Sequence, residues 1–233
     1  MSALDNFKLA AYLDEAGDNP ASSVDTLLRC NINYCVIRNN KISDNYASEI
    51  KRCFTKITPL CIVDDFQDFN RTFNLSVYLN VNFVAFKINC NDFRDFINNV
   101  DIVMNMSQKY CKKVLIETTS NMYLYDYNQL MSYVNGSKVN ILYDPAGFML
   151  RRNFDHMKYW LSMCDNIVCV DISDVITNRC FKPPGFGNCN IKNMISNVCK
   201  NKWLFLEPNL VDKCKSNSFI RAFDAFCSLV EDI

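Results

Sequence analysis

Four short apolar segments in the second half of the chain decide the fold: LIET (115–118), ILYDP (141–145), VCVDISD (168–174) and LFLEP (204–208). Each has the length and the β-branched or aliphatic content of a buried strand, and each ends in a carboxylate. Amphipathic stretches of helical length separate them. This alternation predicts parallel strands joined by crossover helices.

The same alternation extends to the N-terminus and gives eight strand–helix pairs over the 233 residues. The predicted strands are Lys8 to Asp14, Tyr34 to Arg38, Pro59 to Val63, Phe83 to Ile88, Val114 to Glu117, Val139 to Tyr143, Ile167 to Ile172 and Trp203 to Glu207. The predicted helices are Ala21 to Cys30, Asn45 to Lys56, Phe66 to Leu79, Asp92 to Tyr110, Tyr127 to Val134, Asn153 to Met163, Ile191 to Cys199 and Ser218 to Val230.

Eight pairs that fill the chain favour an α/β fold consisting of a single (β/α)8 TIM barrel. Without a visible linker, and with 49% hydrophobic residues to form a core, one domain over residues 1–233 is expected. An open doubly wound sheet is the alternative. It is disfavoured because the first strand–helix turn, residues 14–18, is acidic and lacks the G-x-G-x-x-G of dinucleotide-binding folds.

Composition excludes several classes of function. The 25 basic and 25 acidic residues balance and form no long basic stripe, so nucleic acid is not an expected partner. No apolar run approaches the ~20 residues of a membrane span, and the N-terminal segment does not resemble a secretion signal, so a cytoplasmic protein is expected. The 13 cysteines are irregularly spaced, which favours free thiols. The single histidine, His156, makes structural zinc improbable and is predicted on the outer surface of a helix.

The polar residues that end the predicted strands indicate the site, because TIM barrels bind ligands at the C-terminal ends of their strands. Four consecutive strands deliver carboxylates whose mutual repulsion requires a cation or retained protons. All-oxygen ligands favour Mg²⁺ or Mn²⁺. Taken singly, each carboxylate could instead cap the following helix. The predicted metal ligands are Glu117, Asp144, Asp171 and Glu207.

The segments LIET, ILYDPAG, NIVCVDISD, PPGFGN and WLFLEP together resemble the xylose isomerase-like TIM barrels, the family of sugar phosphate isomerases and epimerases. The resemblance implies metal-binding Glu117, Asp144 and Glu207, with Asp171 in the place where many relatives have a histidine. It also places Gly147 where epimerase-like relatives often have a histidine. The shortage of histidines separates the chain from the trinuclear endonuclease branch.

The expected activity is metal-dependent isomerisation or epimerisation of a sugar, sugar phosphate or polyol by proton transfer next to a carbonyl. Glu117 and Glu207 are the predicted proton-transfer groups, and Arg38, Lys87 and Arg179 the predicted substrate contacts. Two alternatives stay open: a dehydratase of a cyclic keto acid or inosose on the same metal site, and a non-catalytic binding protein with an eroded site. The expected partner is a small sugar-like molecule, with a homodimer as a possible assembly.

Overall fold

The chain folds around eight parallel strands that close into a barrel. The structure is a computed structural model, and it describes residues 6–149, 155–176, 180–198, 201–209 and 214–231. The strands of the described parts are β1 (Lys8–Tyr12), β2 (Tyr34–Arg38), β3 (Thr58–Asp64), β4 (Phe83–Lys87), β5 (Lys113–Glu117), β6 (Ile141–Tyr143), β7 (Ile167–Ile172), β8 (Asp174–Ile176), β9 (Cys180–Lys182) and β10 (Trp203–Leu206).

Helices surround the barrel and connect successive strands. They are α1 (Leu13–Ala16), α2 (Pro20–Arg29), α3 (Asp44–Cys53), α4 (Phe69–Tyr78), α5 (Phe93–Tyr110), α6 (Tyr127–Ser137), α7 (Pro145–Met149), α8 (His156–Met163), α9 (Ile191–Val198) and α10 (Lys215–Glu231). Two 3₁₀ turns add residues Asn39–Lys41 and Ser120–Leu124.

The order of the strands around the barrel is β1-β10-β7-β6-β5-β4-β3-β2, and β8 and β9 form a separate antiparallel hairpin. Each barrel strand thus pairs with the barrel strands before and after it in the chain, and β10 closes the cylinder against β1. The predicted single (β/α)8 barrel is therefore confirmed. All eight predicted barrel strands are present. The first was predicted to run to Asp14 but ends at Tyr12, because Leu13 begins the short helix α1.

Several helices begin at a residue whose side-chain oxygen accepts a backbone N–H of the first turn. Asp68, Asp92, Asp126 and Asp155 do this for α4, α5, α6 and α8. Such caps satisfy amide groups that have no partner within the helix. Helix capping was the alternative role considered for the carboxylates at strand ends. These four aspartates do cap helices, but none of them is a predicted metal ligand.

The inside of the barrel is packed with one layer of mostly apolar side chains drawn from all eight strands. These are Ala10, Tyr12, Val36, Leu60, Cys61, Val63, Ala85, Leu115, Leu142, Cys169 and Phe205. A second and larger core lies between the outer faces of the strands and the helices. Because side chains alternate between the two faces of a strand, this inner layer fixes which residues point into the barrel.

The predicted surface position of His156 is wrong. The side chain is 3% exposed at the start of α8. The Tyr143 hydroxyl donates to the His156 carbonyl oxygen at 2.7 Å and lies 3.2 Å from ring atom Nδ1. Burial lowers the pKa of the imidazole. The first turn of α8 packs against the end of β6, so its first residue is buried. An amphipathic sequence pattern does not reveal such a contact.

The twelve cysteines in the described parts are free thiols, as predicted from their spacing, and Cys30, Cys35, Cys61, Cys169 and Cys189 are buried. Among the described residues, no helix combines the length and apolar character needed to cross a membrane.

Candidate functional site

The site lies at the C-terminal ends of the barrel strands, directly above the inner layer of apolar side chains. Two residues after Leu115, Cys169 and Phe205, which point into the barrel, come Glu117, Asp171 and Glu207. The period of two along a strand therefore directs these carboxyl groups inward. The same spacing leads from Leu142 to Asp144, from Val36 to Arg38 and from Ala85 to Lys87.

Three carboxyl groups converge: each of Asp144, Asp171 and Glu207 offers an oxygen within 4.8 Å of the others. The strand register explains the proximity of two of them. Phe205 pairs with Asp171, and the backbone N–H of Glu207 donates to the carbonyl oxygen of Ile172. These residues form what we call the three-carboxylate group.

Asp171 is the deepest member of this group, with 1% of its surface exposed. Its Oδ1 accepts a hydrogen bond from the hydroxyl of Tyr12 at 3.0 Å. Tyr12 belongs to the inner layer on β1, so the hydrogen bond links β1 to β7 past the intervening strand β10. The bond fixes the orientation of the Asp171 carboxyl group.

Asp144 is held by hydrogen bonds to two residues that directly follow the neighbouring strands β5 and β7. The hydroxyl of Ser173 donates to Asp144 Oδ1 at 2.9 Å, and the Asp144 backbone N–H donates to Thr118 Oγ1 at 2.8 Å. Gly147 lies against the other oxygen: a Cβ there would come within 2.6 Å of Asp144 Oδ2. A side chain at position 147 would therefore displace the Asp144 carboxyl group from this position.

Arg38 supplies a positive charge beside the three-carboxylate group. Its Nη1 donates to Asp14 Oδ2 at 2.6 Å and to Glu15 Oε1 at 2.9 Å, and its Nη2 donates to Glu207 Oε1. The guanidinium carbon lies 4.3 Å from the centre of the Tyr12 ring. Arg38 therefore joins α1, which carries the two acidic partners, to the end of β10.

Glu117 is paired with a different cation. Lys87 and Glu117 are register partners on β4 and β5, and Lys87 Nζ donates to Glu117 Oε1 at 2.7 Å. Glu117 is 4% exposed and is not part of the three-carboxylate group. Of the four predicted ligands, the structure thus brings three together and pairs the fourth with a lysine.

Glu117, Asp171 and Glu207 have pKa values above those of free carboxylic acids. Burial, and then repulsion from neighbouring carboxylates, raises the pKa of Glu207 to about 7, although Arg38 opposes the shift. Burial likewise raises the pKa of Glu117 against the opposing effect of Lys87, and raises that of Asp171 well above its usual value. A site with such an excess of negative charge favours either bound protons or a cation.

A cavity of about 490 Å³ is lined by Glu207, a member of the three-carboxylate group, and most of its other lining side chains are also polar. Glu117, Glu207, Arg38 and Lys87 reach it from the barrel strands, and Asp14, Glu15, Asn40, Lys41, Asp65, Asn209 and Lys215 line it from the loops and helix starts. Tyr12 and Val63 form its apolar part. A lining so rich in donors and acceptors suits a small ligand with many hydroxyl groups.

Two further carboxylates at strand ends, Asp64 and Asp174, have structural roles instead. Asp64 accepts hydrogen bonds from Asn39 and Thr72 within a buried network. Asp174 accepts the backbone N–H groups of Gly185, Gly187 and Cys189 and thereby anchors the loop that follows the β8–β9 hairpin. The predicted substrate contact Arg179 lies outside the described residues.

The sequence reasoning missed two residues that shape the site, Tyr12 and Ser173. A signal for Tyr12 was present, because it lies two residues after Ala10 on a predicted strand and must share its face. Ser173 gave no such signal, since it lies between the ends of β7 and β8.

Neither a protein-family model nor a curated protein matches the sequence. Solved structures do match. A xylose isomerase-like TIM barrel protein from Mycobacterium smegmatis, in complex with magnesium, has a TM-score of 0.69 and 10% identity, over 100% of this chain and 99% of that one. D-psicose 3-epimerase with D-tagatose from Clostridium cellulolyticum H10 has a TM-score of 0.65 and 13% identity, over 96% and 99%.

An AP endonuclease of family 2 from Brucella melitensis also shares the fold, with a TM-score of 0.59 and 15% identity over 90% of this chain and 96% of that one. At such identities the comparisons establish architecture and leave the chemistry to be argued from the site. The resemblance drawn from the sequence motifs is confirmed at that level: the chain has the fold of the xylose isomerase-like TIM barrels.

Proposed function

We propose that this protein is a divalent-metal-dependent isomerase or epimerase of a small sugar, sugar phosphate or polyol. The observation that carries the proposal is the three-carboxylate group, whose member Glu207 lines a polar cavity. Isomerases and epimerases are among the chemistries known on this fold, since one of the matching structures is a sugar epimerase.

The residues present fit Mg²⁺ or Mn²⁺. Asp144, Asp171 and Glu207 offer hard oxygen donors, and burial followed by repulsion between carboxylates raises the pKa of Asp171 and Glu207, so a bound cation would stabilise their charged forms. These three residues would hold the ion, and a ligand role for Glu117 stays a prediction. A divalent ion supplies a Lewis acid that stabilises negative charge on substrate oxygens.

Glu117 and Glu207 are the groups proposed to move protons at the carbon next to the carbonyl. Both line the cavity, and they enter it from β5 and from the end of β10 on different sides of the barrel. The pKa of Glu207, raised to about 7, lets it both accept and release a proton near neutral pH, and burial raises the pKa of Glu117 in the same direction. Lys87 donates to Glu117 and thereby orients its carboxyl group.

The cavity favours a neutral or weakly charged polyhydroxy substrate. Its lining contains five carboxylates and four cationic side chains, so no single charge sign dominates. The nuclease alternative that the fold also admits is disfavoured, because a phosphodiester backbone would meet Asp14, Glu15 and Asp65 at the cavity.

The experiment is deuterium exchange. The protein is incubated with a panel of aldoses, ketoses and their phosphates in D₂O with Mn²⁺ or with EDTA, and products are followed by NMR. Proton transfer next to the carbonyl places deuterium at that carbon only when the ion is present. Conjugated products that absorb in the ultraviolet would instead identify the dehydratase.

A matched pair of variants tests the role of Glu117. Glu117→Gln removes its acid–base capacity and is expected to lower the exchange rate by about a hundredfold or more. Glu49→Gln makes the same chemical change at an exposed position on α3 and serves as the control. Metal binding without deuterium exchange on any sugar of the panel would overturn the proposed activity.

A further inference from the structure

Arg38 is bound to the protein more extensively than a substrate-binding side chain requires. Its two terminal nitrogens contact Asp14, Glu15 and Glu207, and its plane lies over the Tyr12 ring. The side chain is 16% exposed. A guanidinium has five N–H donors, and three of its hydrogen bonds are made to carboxylates of the chain itself.

Glu207 belongs to two charge clusters at once. It is a member of the three-carboxylate group, together with Asp144 and Asp171, and it is also a partner of Arg38. A cation placed in the three-carboxylate group would share the Glu207 carboxylate with the guanidinium. Two positive charges on one carboxylate repel each other, and the repulsion is large where water is excluded.

Two other carboxylates can hold Arg38 in place when a divalent ion binds Glu207. Asp14 and Glu15 both lie on α1, outside the three-carboxylate group, and each already accepts from Nη1. One oxygen of Asp14, Oδ1, is buried and has no hydrogen-bond partner. It provides an acceptor for a guanidinium N–H that leaves Glu207.

We propose that Arg38 is a resident counter-cation that competes with the divalent ion for Glu207, and that ion binding shifts the guanidinium to Asp14 and Glu15. This inference rests on the proposed metal-dependent function and assigns a control to the same site. Arg38 is then a positioning residue, which holds Glu207 while the ion is absent and gives it up when the ion arrives.

The test is calorimetric titration of the metal-free protein with Mn²⁺. Removal of the adjacent positive charge in Arg38→Met is expected to tighten Mn²⁺ binding by at least about tenfold, the effect of one nearby unit charge even under water-like screening. Arg38→Lys retains the charge and should bind Mn²⁺ close to the wild-type affinity. Arg52→Met, at an exposed position on α3, is the control and should leave the affinity unchanged.

A purely structural role for Arg38 predicts the opposite sign, because a disturbed site binds the ion more weakly. Equal or weaker Mn²⁺ binding by Arg38→Met therefore overturns the competition. If the wild type and both Arg38 variants all fail to bind Mn²⁺, the metal site itself is refuted and the proposed function falls with it. Binding by the wild type with unchanged affinity in Arg38→Met refutes the competition alone.

A second measurement needs no variant with altered charge. In protein labelled with ¹⁵N-arginine, the side-chain Nε–H signal of Arg38 is identified by its loss in Arg38→Lys and followed during titration with Mg²⁺. The signal is expected to move with the same midpoint as the calorimetric binding of Mg²⁺. A signal that stays fixed while Mg²⁺ binds contradicts the proposed shift.

Discussion

Glu207→Gln should flatten the pH dependence of the stability of the metal-free protein. The pKa of Glu207 is raised from 4.5 to about 7 in the folded chain, which corresponds to roughly 3 kcal/mol of preference for the protonated carboxyl. Because the folded pKa exceeds the unfolded one, this stabilisation is fully present below the unfolded pKa. It is lost as the pH rises through the folded pKa.

Between about pH 4 and about pH 8, the wild type should therefore lose roughly 3 kcal/mol more stability than Glu207→Gln, which has no proton to release there. The variant also relieves repulsion on Asp171, so the difference can exceed this value. Urea unfolding in EDTA across this pH range measures it. The comparison uses the change with pH, so any constant effect of losing the Arg38 contact cancels.

The control is Glu49→Gln, whose exposed side chain on α3 should leave the wild-type pH profile unchanged. Parallel profiles for the wild type and Glu207→Gln would refute the raised pKa and, with it, the excess of negative charge from which a cation site was argued.

Two further changes test how the carboxyl groups are held. Gly147→Ala places a Cβ within 2.6 Å of Asp144 Oδ2 and should weaken Mn²⁺ binding at least about tenfold in calorimetry. Gly136→Ala is the control, because a Cβ at position 136 would have no atom within 4 Å and should leave the affinity unchanged. Equal affinities in the two variants would contradict the tight packing at Gly147. Tyr12→Phe leaves the buried Asp171 oxygen without its donor and should cost about 1–3 kcal/mol in urea unfolding of the metal-free protein, and an unchanged midpoint would show that the hydrogen bond is dispensable.

The architecture was predictable because the strand segments are short, apolar and evenly spaced. Leu115, Leu142, Cys169 and Phe205 lie in such segments, and all four point into the barrel. The period and spacing of these segments therefore predicted both the fold and the inward direction of the polar side chain two residues after each of these four residues. The exact ends of β1 were harder, since Leu13 is as apolar as a strand residue yet begins a helix.

The pairing of charges was not predictable in the same way. The sequence shows that Glu117, Asp171 and Glu207 share one rim, but it does not show which cation each one meets. Lys87 pairs with Glu117 because the two are register partners on adjacent strands, and Arg38 forms a salt bridge with Glu207 across the β1–β10 closure of the barrel. Such partners depend on side-chain reach over a few ångströms, which no spacing rule fixes.

The minor elements were missed for a related reason. The β8–β9 hairpin and α7 are only a few residues long, too short to produce a period. The wrong surface position of His156 has a similar cause. Its burial follows from where the first turn of α8 packs, and the composition of the helix does not show this.

The packed inner layer also bears on how the site is reached. Tyr12, Phe205, Leu115 and Leu142 fill the cylinder from within, and among the described residues Glu207 is the member of the three-carboxylate group that lines the cavity. A molecule bound in that cavity would therefore touch one of the carboxyl groups proposed to hold the ion, so that occupancy of the cavity and exchange of the ion would affect each other.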